Sequence, residues 1–346
     1  MRRIATIAAG LLVAAVALYF VPQLLHSLFA QSSVSYLSLL TNIITLGVLA
    51  LSWDILARTG QLSLAHAAFY GAGGYATAML VRHAEVPLWM GIPLGGIVAG
   101  LLALLIGPVT LRLHGIYFAI ATLSFTEVLR AVVQQLPSNI AGGAPGLNIP
   151  ALFRPTFVAG EMERWEIAFQ RNESYFLVYA GLLLFTILLS IFVQKTRLRF
   201  AFTSVRTNQE VASVMGVRPA RTKLLVLMLS SVPVGLLGAV EAHRLGSVNP
   251  FETFGVGTTV LALVTPIFGG LYTTAGPLIG ATVLSGIEEV LRRNISDGYL
   301  IVYGVVLVVA VLFMPRGLLG LIDRLRTRTR RAQPPAAPAP QVKEAP

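Results

Sequence analysis

Apolar segments of about twenty residues recur along this chain from the N-terminus almost to residue 315, and that repetition restricts the fold class before any motif is read. A helix needs about 20 mostly apolar residues to cross the hydrocarbon layer of a bilayer. Windows of that kind fall at 4–21, 34–53, 61–81, 88–110, 116–136, 174–194, 224–243, 254–270, 276–292 and 299–314. In lipid, backbone polar groups must be satisfied inside a helix or a closed barrel, and the strand alternation of a barrel is absent. The chain is therefore read as all-α, a polytopic helical membrane protein with about ten transmembrane helices. Composition agrees, with 55% hydrophobic and 12% charged residues, against about 25% charged in an ordinary soluble domain.

Lysine and arginine collect on the cytoplasmic side of membrane proteins. With the N-terminus inside, 18 of the 26 basic residues fall on that side, 7 of them in the loop 195–223 and 7 in the C-terminal segment. An even number of spans returns the C-terminus to the same side, so count and charge agree on a multi-pass protein with both termini cytoplasmic. The first apolar run is taken as an uncleaved span, although the residues before Gln31 loosely resemble a cleavage site. Residues 1–322 form the membrane domain, with an outer loop over 137–173 and a cytoplasmic loop over 195–223. Residues 323–346 read as a disordered basic, Pro/Ala-rich cytoplasmic tail. The net charge of +11 does not indicate a nucleic-acid partner, because the basic residues lie in short segments between apolar runs. There is no cysteine, and the 5 histidines are too scattered for a metal site.

The loop 195–223 contains "TNQEVASVMGVRP". Thr207 followed by Glu210 has the spacing of a capping box, Gly216 stands where a helix closes, and Pro219 prevents continuation. A separate helix of about two turns is expected over 208–215. Val211, Val214 and Met215 would form one apolar face. So short a helix is marginal alone. It is therefore expected to lie on its own spans, on the membrane surface, or in a groove of a partner.

The spacing Glu210-x-Ala212-x-x-x-Gly216 resembles the E-A-A-x-x-x-G element of ABC-importer permeases, with Val211 where the family has a second alanine. "GQLSLAHAAFYGAGGYATAML" (60–80), "GIYFAIATLSFTEVLRAV" (115–132), "GGAPGL" (142–147) and "FGGLYTTAGPLIGA" (268–281) resemble, in the same order, the M-type permease of the high-affinity branched-chain amino acid importers. This resemblance implies an ABC-importer permease fold in a bacterial inner membrane. It also implies a second, homologous permease, two cytoplasmic ATP-binding subunits and an extracytoplasmic substrate-binding protein. The coupling element would comprise Thr207, Asn208, Glu210, Val211, Ala212, Val214, Met215 and Gly216. No cofactor is expected on this chain; ATP would be bound by the partner subunits. Urea and amide importers use closely similar permeases.

Within the spans, Ser63, Ala67 and Gly71 form one stripe of small residues, and Ala68, Ala72 and Ala76 a second. Such stripes let helices approach closely. Gly60, Gln61 and Ser63 are expected to mark a broken helix end, tolerated where it is buried or lines a cavity. Gly60, Gln61, Ser63, His66, Gly71 and Glu127 are the packing or pathway candidates. His66 reads as a packed histidine, and Glu127 as an ion pair with Arg130. Glu241, Glu288 and Glu289 are expected to stay wet near outer ends. No acid is placed at a membrane midplane, which weighs against a stand-alone ion-coupled carrier. With no phosphate loop, nucleophile elbow, zinc helix or catalytic carboxylate pair, the chain reads as a non-catalytic transport subunit.

Overall fold

The computed structural model describes residues 2–29, 32–153, 164–295, 298–313 and 317–320. The expected tail 323–346, part of the outer loop and the residue at the possible cleavage site lie outside them. Each of the ten apolar windows corresponds to a helix. In order these are α1 (Arg2–Phe29), α2 (Ser33–Ala57), α3 (His66–His83), α4 (Leu88–Thr110) and α5 (Ile116–Gln135). A short α6 (Ser138–Ala141) and strand β1 (Leu147–Asn148) precede α7 (Arg164–Lys195). The basic loop holds α8 (Leu198–Thr207) and α9 (Gln209–Val214), and α10 (Pro219–Leu245) follows. Next come β2 (Ser247–Val248), α11 (Pro250–Thr253), α12 (Val256–Gly269), α13 (Ala275–Asn294) and α14 (Tyr299–Phe313). Proline opens α10 and α11, where its missing N–H costs nothing.

Six stretches are long and apolar enough to span by themselves: Ser33–Ala57, Leu88–Thr110, Ile116–Gln135, Gln170–Lys195, Pro219–Leu245 and Pro250–Gly269. The other four windows miss that standard for different reasons. Helix α3 loses its first turn to an irregular segment, and α13 carries Glu288, Glu289, Arg292 and Arg293 at its end. Only Val13–Phe29 of α1 and Tyr299–Val309 of α14 stand out as apolar. The loop expected over 137–173 is shorter than expected. No proline or glycine separates Arg164 from Ser174, so α7 runs past its apolar stretch.

Helix α10 is the centre of the bundle, packing on α2, α3, α4 and α7. Around it the core gathers Trp53, Phe69, Tyr179, Val226, Leu227 and Leu237. Four segments expected on one side of the membrane, those at Arg58, Arg112, the loop 195–223 and Tyr272, meet at one end of this bundle. At the end expected to face outward, Leu147 pairs with Val248 in the antiparallel β1–β2 ladder. There the Tyr175 hydroxyl donates to the His243 carbonyl at 2.8 Å, and His83 Nε2 lies 2.9 Å from the Ile140 carbonyl oxygen. At the other end, Arg58, the loop 195–223 and the turn at Tyr272 come together. The Glu127–Arg130 pair forms as expected, at 2.5 Å.

Glu241 and Glu289 depart from expectation: both are mostly buried. An acid withdrawn from water needs a partner, and arginines three or four residues along the helix supply one. Glu241 pairs with Arg244 and accepts from the Tyr179 hydroxyl, and Glu289 pairs with Arg292 at 2.7 Å and Arg293 at 2.6 Å.

Candidate functional site at the basic end

The basic loop folds as two consecutive helices, of which the sequence reading anticipated only the second. The first, α8, is amphipathic. Phe202 and Val205 are buried against the bundle while Phe200 faces outward. The spacing of Leu198, Phe202 and Val205 at i, i+4 and i+7 was the signal for it.

The N-cap of α9 is Asn208, not Thr207. Thr207 is the last residue of α8, and its hydroxyl donates back to the Thr203 carbonyl at 2.9 Å. Asn208 is extended (φ −160°), and its Oδ1 accepts from the N–H groups of Glu210 at 2.9 Å and Val211 at 3.1 Å. The capping box is therefore not formed. Asparagine caps as well as threonine or better, and α8 has already engaged the threonine hydroxyl. The far end closes as expected. Gly216 has φ +86°, the Gly216 N–H donates to the Ser213 carbonyl, and the Val217 N–H reaches back to Ala212 at 3.0 Å. That pair of bonds is a Schellman closure, which requires the left-handed residue that glycine supplies at least cost. Replacing Asn208 with alanine should weaken α9 by about 1 kcal/mol. Hydrogen exchange would show it as faster exchange at the Glu210 and Val211 amides, with the core unchanged.

Ala212 is the buried contact of α9. The face expected from Val211, Val214 and Met215 is outermost, at 58%, 87% and 78% exposed, with nothing among the described residues covering it. Gln209, missed in the sequence, anchors the loop. Its Oε1 accepts from Lys223 Nζ at 3.0 Å and lies 3.2 Å from His114 Nε2. The loop is thereby tied both to the start of α10 and to the α4–α5 turn.

Next to this loop the chain over 61–65 is irregular, as the glycine, glutamine and serine suggested. Gly60 has φ +79° and lies against the Arg206 side chain. The exposed backbone groups are satisfied by side chains from three other helices, which is what makes a broken helix tolerable in lipid. The Leu64 N–H donates to Thr122 Oγ1 at 3.0 Å, and its carbonyl accepts from Thr126 and Thr259, each at 3.3 Å. Trp53 Nε1 donates to the Ser63 carbonyl at 2.8 Å, and Ser63 Oγ accepts from the Ala65 N–H at 3.1 Å. Gln61 is buried with its amide unpartnered among the described residues. His66 is fully buried edge-on to Phe69.

Ser63, Ala67 and Gly71 are all buried, as their stripe implied. Of the second stripe only Ala68 is fully buried, and Ala72 and Ala76 are half-exposed. A close backbone approach outside both stripes is made by Gly73, which abuts Gly235 of α10 and Gly95 of α4.

One strong charge site was also missed. Asp54, in the last turn of α2, is fully buried and pairs with Arg58 at 2.8 Å. Arg58 Nη2 also donates to Ser190 Oγ at 2.7 Å, and Asp54 Oδ1 accepts the Tyr272 N–H at 2.6 Å. Three segments of the basic end thus share one ion pair.

Residues 35–311 match the family described as "Branched-chain amino acid transport system / permease component". The chain belongs to this family. It is 29% identical over 284 residues to the high-affinity branched-chain amino acid transport system permease protein LivM of Salmonella typhimurium, and 28% identical to LivM of Escherichia coli. Each match covers 77% of this chain and 65% of the relative, so the aligned region spans just under two thirds of those proteins. Identity to the high-affinity branched-chain amino acid transport system permease protein LivH of Escherichia coli is 22% over 275 residues, covering 75% of this chain and 86% of LivH. The L-arabinose transport system permease protein AraH of the same organism is 24% identical, covering 77% of this chain and 78% of AraH. No solved structure matches this chain. The chain is thus a multi-pass member of this permease family, and these relatives are named as transport components.

Proposed function

We propose that this chain forms half of the translocation pathway of an ATP-driven importer in a bacterial inner membrane, with both termini in the cytoplasm. A second, homologous permease forms the other half. Two cytoplasmic subunits bind and hydrolyse ATP, and an extracytoplasmic binding protein delivers substrate to the end formed by β1, β2 and α11. The α8–α9 loop is the docking site of an ATP-binding subunit. The observation that carries this reading is the exposed apolar face of α9, with Val214 and Met215 held outward on a helix capped at both ends. A helix whose own contacts are satisfied through Ala212 and Gln209 needs no apolar outer face for folding. Apolar anchors on one face of a helix are what helix-in-groove recognition uses.

Replacing Val214 and Met215 together with aspartate should leave the melting temperature and membrane insertion unchanged. Recovery of an ATP-binding subunit by affinity purification from the native host should fall by tenfold or more, since each buried apolar anchor contributes about 1.5–3 kcal/mol. Undiminished recovery would assign α9 to the membrane interface instead.

The proposed substrates are branched-chain amino acids, the class named for the LivM and LivH relatives. The match to an L-arabinose permease is consistent with a permease that does not itself dictate substrate class. Selectivity then lies mainly with the binding protein. Uptake of radiolabelled leucine, isoleucine and valine, compared with urea, in the native host with and without this chain tests the assignment. Loss of leucine uptake alone supports it. Loss of urea uptake alone would make the chain part of a urea or amide importer.

A further inference from the structure

Between α8, the end of α7 and the Tyr272 turn lies a pocket of about 330 Å³ whose charge is not balanced. Its lining includes Arg58, Arg199, Thr203, Arg206 and Tyr272, and no acid. Asp54 lies behind the wall and neutralises Arg58. The surplus is therefore carried by Arg199 and Arg206, neither of which has an ion-pair partner among the described residues. On α8 these two and Thr203 stand at i, i+4 and i+7, so one helix face presents two guanidinium groups and a hydroxyl.

The wall is built rather than incidental. Tyr272 has φ +65°, a left-handed conformation costly for a bulky residue. Such strain persists where surrounding structure imposes it, commonly at ligand clamps. Here the Asp54–Tyr272 N–H bond holds the turn. The tyrosine ring lies under Arg206, whose guanidinium carbon is 3.9 Å from the ring centroid. Stacking on an aromatic face orients a guanidinium while leaving its N–H edge free for an oxyanion.

We infer that this pocket binds a phosphate group, held by Arg199 and Arg206 with Thr203 as a further donor. Two planar, always-charged donors around a cavity suit the bidentate geometry of phosphate. Basic pockets between membrane helices on the cytoplasmic side characteristically take anionic headgroups. The pocket shares its end of the bundle with the docking loop, so an occupant would bridge α8 to α2 and the Tyr272 turn. The inference rests on this geometry and not on the identity of the transported substrate.

The test uses the full chain, delipidated in detergent and then placed in phosphatidylcholine nanodiscs with or without a minor fraction of phosphatidylglycerol. In parallel the detergent-solubilised protein is titrated with inorganic phosphate. Phosphatidylglycerol should raise the melting temperature and be retained in native mass spectra. Arg199→Gln/Arg206→Gln should weaken its binding by roughly tenfold or more, the size of losing charge-assisted hydrogen bonds. Stabilisation by phosphate alone, with the same arginine dependence, would support the site and identify a free anion as its occupant. Lys195→Gln/Arg197→Gln removes equal charge from the same loop outside the pocket and should bind as the unaltered protein does. If that control loses as much, or if neither probe distinguishes the Arg199/Arg206 variant, the site does not exist.

Discussion

Replacing Asp54 with asparagine is expected to cost the folded protein about 3–5 kcal/mol, the effect of leaving one partner of a buried pair uncompensated. The side chains of Asp54 and Arg58 are 0% and 6% exposed, so solvent cannot take over the charge. Asparagine keeps an oxygen able to accept the Tyr272 N–H, so this substitution isolates the charge from the turn it anchors. The melting temperature in detergent should fall by on the order of 10 °C. Adding Arg58→Gln should restore most of the loss, because glutamine is neutral and still able to donate to the Ser190 carbonyl or hydroxyl that Arg58 now contacts. A double-mutant cycle reads the coupling directly. If Asp54→Asn melts with the unaltered protein, the pair is not the element joining α2, α7 and the Tyr272 turn.

That pair also shows where sequence reading reached and where it stopped. The length of apolar runs was enough to place ten helices, because the bilayer fixes the length a span must have. Asp54 and Arg58 stand at i, i+4, a spacing that signals a pair, yet Arg58 reads first as a basic residue flanking a span. Nothing local says that both are buried. The α9 boundaries were legible from Gly216 and Pro219, whereas the choice between Thr207 and Asn208 as cap was decided by α8, which competes for the threonine hydroxyl. The irregular segment was signalled by Gly60, Gln61 and Ser63. Its stabilisation was not, because Thr122, Thr126 and Thr259 come from sites 58 to 195 residues away. Contacts of that range leave no periodicity to read. The exposed apolar face of α9 was predicted in composition but not in orientation, since Ala212 rather than the larger residues faces the bundle.

Replacing Gly73 with alanine should be more damaging than the size of a methyl group suggests. An added Cβ would stand 2.0 Å from the Gly235 carbonyl oxygen of α10, a backbone atom that cannot rotate away. The same crossing brings Gly238 within 2.0 Å of the Tyr70 carbonyl oxygen in the same sense, and Gly95 of α4 within 2.7 Å of the Gly73 oxygen. Three helices are therefore in backbone contact, and a methyl can be admitted only by separating them. Ordinary overpacking costs about 1–3 kcal/mol, and this crossing is expected at or above that range because van der Waals packing is the principal force between helices in lipid. Gly181, with nothing within 4 Å of its notional Cβ, is the matched control. There alanine should be neutral or stabilising by up to about 1 kcal/mol through helix propensity. Comparing the two melting temperatures removes the propensity term and leaves the contact. Equal melting of both variants would mean that α3 and α10 are not so close. A large deficit at Gly73 alone would establish a rigid α3–α10 pair. Both helices begin at the basic end, α10 immediately after the loop proposed to dock an ATP-binding subunit and α3 after the irregular segment, so under that proposal such a pair is the stiff element through which motion of α9 would be carried across the membrane.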